Sequence, residues 1–296
     1  MTVALATAVR TLPRGPGLAY EPKFDGHRMV VVRTVEGVAL QARSGRIVTR
    51  AFPDLAAAAL LLPAGTVLDG EVVVWHAGRT EFALVQRRAA AASAARAAVL
   101  AQTLPASYAA FDVLELAGLD LRARPYERRR ALLVDLLLPL GPPLQPVPMT
   151  TDPELAATWY ETLPASGIEG LVVKRLDQAY PAGKRAWQKL RHTNVHDAAV
   201  VGYTGTARRP LALVLVLPVG DETPLVSSPL TAALRAEVAA VAAARAPAAA
   251  AEGATVTAIG LGEVPFRPLD PPLTAEVRHA STRHPPPEVL RLRTDL

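Results

Sequence analysis

An α+β chain in two parts is what the sequence predicts: antiparallel sheets flanked by helices over residues 1–192, then a small all-β barrel over 193–296. Three observations predict it. Short β-rich runs separated by Gly turns fill most of the first 120 residues, helical periodicities follow, and the texture changes near residue 193 to short strands around one helix.

The elements follow in order. "MVVVR" leads through Glu36-Gly37 into "VALQAR", and Ser44-Gly45 turns the chain into "RIV", so hairpins are expected here. "TVLDGEVVVW" and "SYAAFDVLEL" are strands ended by Ala77-Gly78 and Ala117-Gly118. The Ala-rich run 83–101 between them is helical by propensity. "PYERRRALLVDLLL" sets Leu132, Leu133, Leu136 and Leu137 on one helical face, and "TDPELAATWYETL" opens with a capping residue and Pro153, with Leu155 and Trp159 spaced i, i+4. "GLVVKR" and "AWQKLR" are strands. Beyond 193, "DAAVVGYTG" and "LALVLVLPVG" are strands, "SSPLTAALRAEVAAVAAARA" is a helix aligning Leu230, Leu234, Val238 and Val241, and 246–254 is a low-complexity loop. Short strands plus one helix in about 100 residues suit a barrel of the OB-fold kind.

Composition narrows the function classes. Half of the 296 residues are hydrophobic, enough for a true core, and without cysteine there is no disulfide framework and no thiolate zinc site. No apolar run approaches the roughly 18–20 residues of a membrane span, so a cytoplasmic protein with no membrane partner is expected. Net charge is +5 with a pI near 9.8. The excess is uneven: 23 basic against 17 acidic residues up to His192, 9 against 10 after it. That balance fits a polyanion partner for the first part.

Lysine is rare. Of 32 basic residues only Lys23, Lys174, Lys184 and Lys189 are lysines, and Lys23 stands in "EPKFDGHR". Arginine stays protonated, whereas a lysine amine can shed its proton and act as a nucleophile. Glu71 in "LDGEVVVW" and Glu169 in "SGIEGLVVKR" are strand-edge carboxylates of the kind that hold Mg²⁺ together with phosphate oxygens. Alternation in "WQKLR" places Lys189 and Arg191 on one face.

Taken in order, Lys-x-Asp-Gly-x-Arg, a Ser-Gly arginine, Asp-Gly-Glu, Phe-Asp-x-Leu, Glu-Gly-x-x-x-Lys and Trp-x-Lys-x-Arg make the chain resemble the covalent nucleotidyltransferases, most closely bacterial ATP-dependent DNA ligases of the LigC type. The similarity runs from Tyr20 to Arg191 and continues thinly to "LRLRTDL". It implies an ATP-grasp-like adenylation domain followed by an OB-fold domain, with ATP and Mg²⁺ (or Mn²⁺) as cofactors and nicked double-stranded DNA as substrate. Lys23 would take AMP. Glu21 would recognise adenine and Phe111 stack on it, while Arg28, Arg43 and Glu71 would contact ribose or phosphate. Glu169, with Glu71, would serve the metal, and Lys189 with Arg191 would hold the triphosphate. Where many relatives carry a second lysine, this chain has Arg191. The final Arg-x-Asp motif is reduced to Arg293 and Asp295.

A lysine that attacks phosphorus must be neutral, and nearby Arg28, Lys189, Arg191 and a metal would favour that state. With only 22 residues before Lys23, an NAD-dependent ligase is disfavoured. The expected protein is a monomeric, nucleoid-associated repair ligase that could work with partners of Ku or polymerase type. RNA ligation or capping is the nearest enzymatic alternative, and a catalytically silent DNA-binding scaffold is the alternative from another class.

Overall fold

The computed structural model describes residues 1–218, 223–244, 254–258, 262–280 and 286–293. Asp295 and nearly all of the loop expected at 246–254 lie outside the described residues. The chain divides into two compact units, Met1–His192 and Thr193–Leu296.

In the first unit a four-stranded sheet has the order β1 (Leu5–Val9), β11 (Arg185–Arg191), β10 (Ile168–Arg175), β2 (Leu18–Phe24). A larger sheet runs β4 (Val38–Ala42), β3 (His27–Arg33), β5 (Thr66–His76), β7 (Ala106–Leu116), β8 (Leu119–Asp120), with β6 (Arg79–Thr80) on β5 and β9 (Leu144–Pro146) on β7. The expected antiparallel pattern holds except at β1–β11 and β7–β9, which pair in parallel.

Alternation along β5 decides which side chains meet. Leu68, Val72 and Val74 enter a core built with α1 (Pro53–Ala59), α2 (Phe82–Ala89) and α4 (Tyr126–Leu137). The odd residues face the other sheet, where Val30, Val67 and Leu114 pack with Val3, Tyr180 and Trp187. The outer face of the four-stranded sheet is covered by α5 (Pro153–Thr162), which Asp152 caps by accepting the Glu154 N–H at 2.9 Å.

Three expectations need correction. The helix expected at 83–101 is two helices, α2 and α3 (Ala94–Thr103). Arg88, fully buried, bonds Asp54 (2.9 and 2.6 Å) and the Leu104 carbonyl (2.6 Å), which fixes the end of α2, and Ser93 caps α3 afresh. On α5 the packed positions are Ala156, Trp159 and Tyr160, while Leu155 is exposed. "RIV" forms only an isolated bridge from Gln41 to Ile47 before a 3₁₀ turn at Thr49–Ala51.

In the second unit β14 (Leu225–Val226), β13 (Arg209–Val216), β12 (Thr193–Thr206), β16 (Gly262–Ala280) and β15 (Thr255–Ala258) form one sheet, with β17 (Glu288–Leu292) also on β16. Leu230 and then Leu234 and Val238 of α6 (Ala232–Ala244) pack on Val200, Leu213 and Val277. Among the described residues no helix is long and apolar enough to cross a membrane.

Candidate active site

Lys23 stands near the end of strand β2, where a short turn carries the chain over to β3 in the other sheet, and alternation puts Glu21 and Lys23 on one face. The chain must pass close to its neighbours here. A Cβ on Gly26 would lie 2.1 Å from the Val72 carbonyl oxygen, and one on Gly170 would lie 2.0 Å from that of Leu190. The two glycines therefore let the β2–β3 turn and β10 close around the carboxylates beside them.

Those carboxylates meet the lysine. The Lys23 ammonium, 20% exposed, is ion-paired with Glu169, which is 3% exposed. Arg191 Nε lies 3.3 Å from the other Glu169 oxygen, Oε2, yet that oxygen accepts no hydrogen bond. Burial lowers the pKa of the Lys189 amine, and Arg191 and Lys23 push it the same way. Burial raises half-buried Glu71 to about 7, opposed by Lys23 and Arg28 and assisted by Glu169 and Asp25. Asp25 rises to about 6 through burial and the Glu169 charge. The site thus gathers three carboxylates and several cations around one amine.

A second cluster sits further along the same face. Buried Lys174 pairs with Glu21 at 2.6 Å and donates to the Phe111 carbonyl at 3.0 Å, and Tyr126 donates to Glu21. The Lys174 ammonium lies 4.4–4.9 Å from the ring centres of Trp187, Tyr126 and Phe111. Arg28 is bidentate to Asp69 (2.8 and 2.6 Å) and lies 4.9 Å from the Phe111 ring centre. Burial opposes the Arg28 charge, but Asp69 more than offsets it and raises the pKa; Tyr180 also donates to Asp69.

Lys23, Glu71, Glu169, Lys189 and Arg191 come together, and Glu21, Arg28 and Phe111 form the adjoining cluster. Arg43 is exposed on the turn after β4 and, among the described residues, forms no ion pair with this set. Its neighbour Arg46 is close enough to His27 to help burial lower that imidazole's pKa. Arg293 belongs to the second unit, where it lies 3.5 Å from Asp197 and 3.4 Å from Glu276. Asp25, Asp69, Tyr126, Lys174 and Tyr180 were not among the candidates. Lys174 had a usable signal, being one of only four lysines.

Among the described residues no three His, Asp or Glu side chains form a ready-made metal cage. The donors nonetheless fit a hard divalent ion that keeps water and phosphate ligands: Glu169 Oε2 has an unused lone pair, and Glu71 and Asp25 repel it and each other.

The raised Glu71 value has a consequence for stability. Between about pH 4.5 and 7 the folded protein keeps a proton that the unfolded chain releases, so Glu71 weakens the fold as pH rises through that window. Glu71→Gln is expected to melt several degrees above wild type at pH 8, with the gap closing near pH 5. Melting curves at the two pH values check the sign.

The ATP dependent DNA ligase domain family matches residues 2–191. DNA ligase C2 of Mycolicibacterium smegmatis is 40% identical over 200 residues, covering 67% of this chain and 56% of that protein. DNA ligase C of Mycobacterium tuberculosis is 36% identical over 204 residues, with coverage of 67% and 56%. The chain thus spans about half the length of these curated relatives. Among solved structures, the ligase domain of M. tuberculosis LigD is 25% identical with a TM-score of 0.56, covering 100% of this chain and 95% of that one. A Lig E DNA ligase structure reaches a TM-score of 0.64 at 16% identity, covering 99% and 100%, a likeness of fold alone.

Proposed function

The chain belongs to the ATP-dependent DNA ligase domain family through residues 2–191, and from that premise we propose that it seals nicks in double-stranded DNA by way of a lysyl-AMP. The observation that carries this reading is the Lys23–Glu169 ion pair, set between Arg191, Lys189 and Glu71. Lys23 gives up that ion pair and a proton, attacks the α-phosphorus of ATP, and forms a phosphoramidate as pyrophosphate leaves. The DNA 5′-phosphate then displaces Lys23 and carries the AMP. Finally the neighbouring 3′-hydroxyl displaces AMP and closes the strand.

Each cluster has a task in this scheme. Glu21 reads adenine and Phe111 offers it a ring, with Lys174 and Tyr126 fixing the Glu21 carboxylate. Arg28, held by Asp69, faces the ribose side, and Arg43 reaches phosphate from its turn. Lys189 and Arg191 hold the triphosphate and stabilise the departing pyrophosphate. Glu169 and Glu71 would hold Mg²⁺ or Mn²⁺, which supplies charge neutralisation at the phosphates when bound. The second unit is read as an OB-type barrel whose Arg293 orients pyrophosphate, and the protein as a monomer recruited to repair by Ku-type or polymerase-type partners.

A nicked duplex with a 5′-phosphate tests the proposal. ATP and Mg²⁺ should yield the sealed strand, with a transient 5′-adenylylated strand when ATP is limiting. Sealing confined to RNA ends, or guanylyl transfer from GTP, would contradict it.

A further inference from the structure

The motif residues occupy one stretch of the β5 row, and the row continues past them. Beyond Glu71 the same face carries buried Val73 and then Trp75, which is 44% exposed. Trp75 lies four residues on, about 13 Å along the strand. Its neighbour is Phe24, the residue directly after Lys23, edge-on at 6.5 Å between ring centres.

This end of β5 stands clear of the main sheet. β3 begins at His27 opposite Val72 and β7 at Ala106 opposite Val74, so Trp75 and His76 pair only with Thr80 and Arg79 of β6. The projecting hairpin is nevertheless fixed. Thr80 Oγ1 donates to the Gly167 carbonyl at 2.9 Å, two residues before Glu169. Gly167, at φ +80, has its missing Cβ position 2.4–2.9 Å from Thr80 atoms, so the contact tolerates no side chain. Trp75 is thus an exposed indole on a rigid mount joined to the strands of both Lys23 and Glu169.

Position along the row says what it faces. Asp69, Arg28, Phe111 and Trp187 lie on the inner side of Glu71, where the adenine reading places the base. Trp75 lies on the outer side. A DNA end that receives AMP from Lys23 needs an approach that bound nucleotide leaves open, and a rigid aromatic face there stacks on a base of any identity.

We propose that Trp75, backed by Phe24, is a stacking ledge for a nucleotide flanking the nick, and that it acts after Lys23 has taken AMP. This rests on the ligase reading above. The test uses the full chain as wild type, Trp75→Ala and Trp75→Phe, with labelled ATP and a 5′-phosphorylated nicked duplex. Trp75→Ala should incorporate AMP as wild type does, yet seal at least about tenfold more slowly. Nicked DNA should quench the fluorescence of wild type, and Trp75→Phe should lose that quenching while sealing within about threefold of wild type. Wild-type sealing by Trp75→Ala overturns the ledge alone, and so does loss of AMP incorporation in both variants, which would make the residue structural. A wild-type protein that neither takes AMP nor seals overturns the ligase reading and the ledge together.

Discussion

Lys23→Arg protein is expected to incorporate no AMP and to seal no nicks, a loss on the order of 10⁴-fold or more, the scale reached when a covalent nucleophile is removed. The substitution preserves the positive charge opposite Glu169, so the ion pair can persist and the fold should melt close to wild type. What it removes is the amine lone pair. A guanidinium does not deprotonate under working conditions and cannot form the phosphoramidate. Labelled ATP followed by denaturing electrophoresis reads the outcome, and a melting curve on the same preparation separates lost chemistry from lost structure. Label on Lys23→Arg protein would remove Lys23 from the role.

Glu169→Gln should be nearly as damaging, by about 10²–10³ in rate, the usual effect of removing one preorganised polar group from a reaction centre. Its carboxylate touches Lys23 and lies 3.3 Å from Arg191, so the amide leaves two cations facing each other without a counter-charge. The same substitution weakens the donor set for a divalent ion. Raising Mg²⁺ should therefore recover part of the activity, with the half-saturating metal concentration shifted upward. A variant that titrates with Mg²⁺ as wild type does would leave Glu169 as a partner of Lys23 only.

Much of this site was legible because chemistry constrained the residue type. An arginine-rich chain that keeps a lysine at position 23 signals an amine in use, and alternation alone put Lys189 and Arg191 on one face. The same rule would put Glu21 and Lys23 of "EPKFDGHR" on one face of a strand, but Pro22 and the Asp25-Gly26 pair interrupt the β pattern there and hide β2. Lys174 escaped because "GLVVKR" reads as a buried strand with a charged end, and only the fold shows Glu21 and three rings closing around that amine. Asp69 and Tyr180 are 111 residues apart, and a long-range hydrogen bond between them leaves no periodic trace. The run 83–101 misled for a related reason: alanine propensity is continuous there, whereas the break is set by the tertiary contacts of Arg88.

Everything proposed for this site depends on Lys23 carrying AMP. Wild-type protein incubated with ATP and Mg²⁺, digested and analysed by mass spectrometry, tests it most directly. The peptide containing "EPKFDGHR" is expected to gain the mass of one AMP, with fragment ions placing it on Lys23. AMP located on Lys174, Lys184 or Lys189, or no covalent AMP in a preparation that seals nicks, would contradict it.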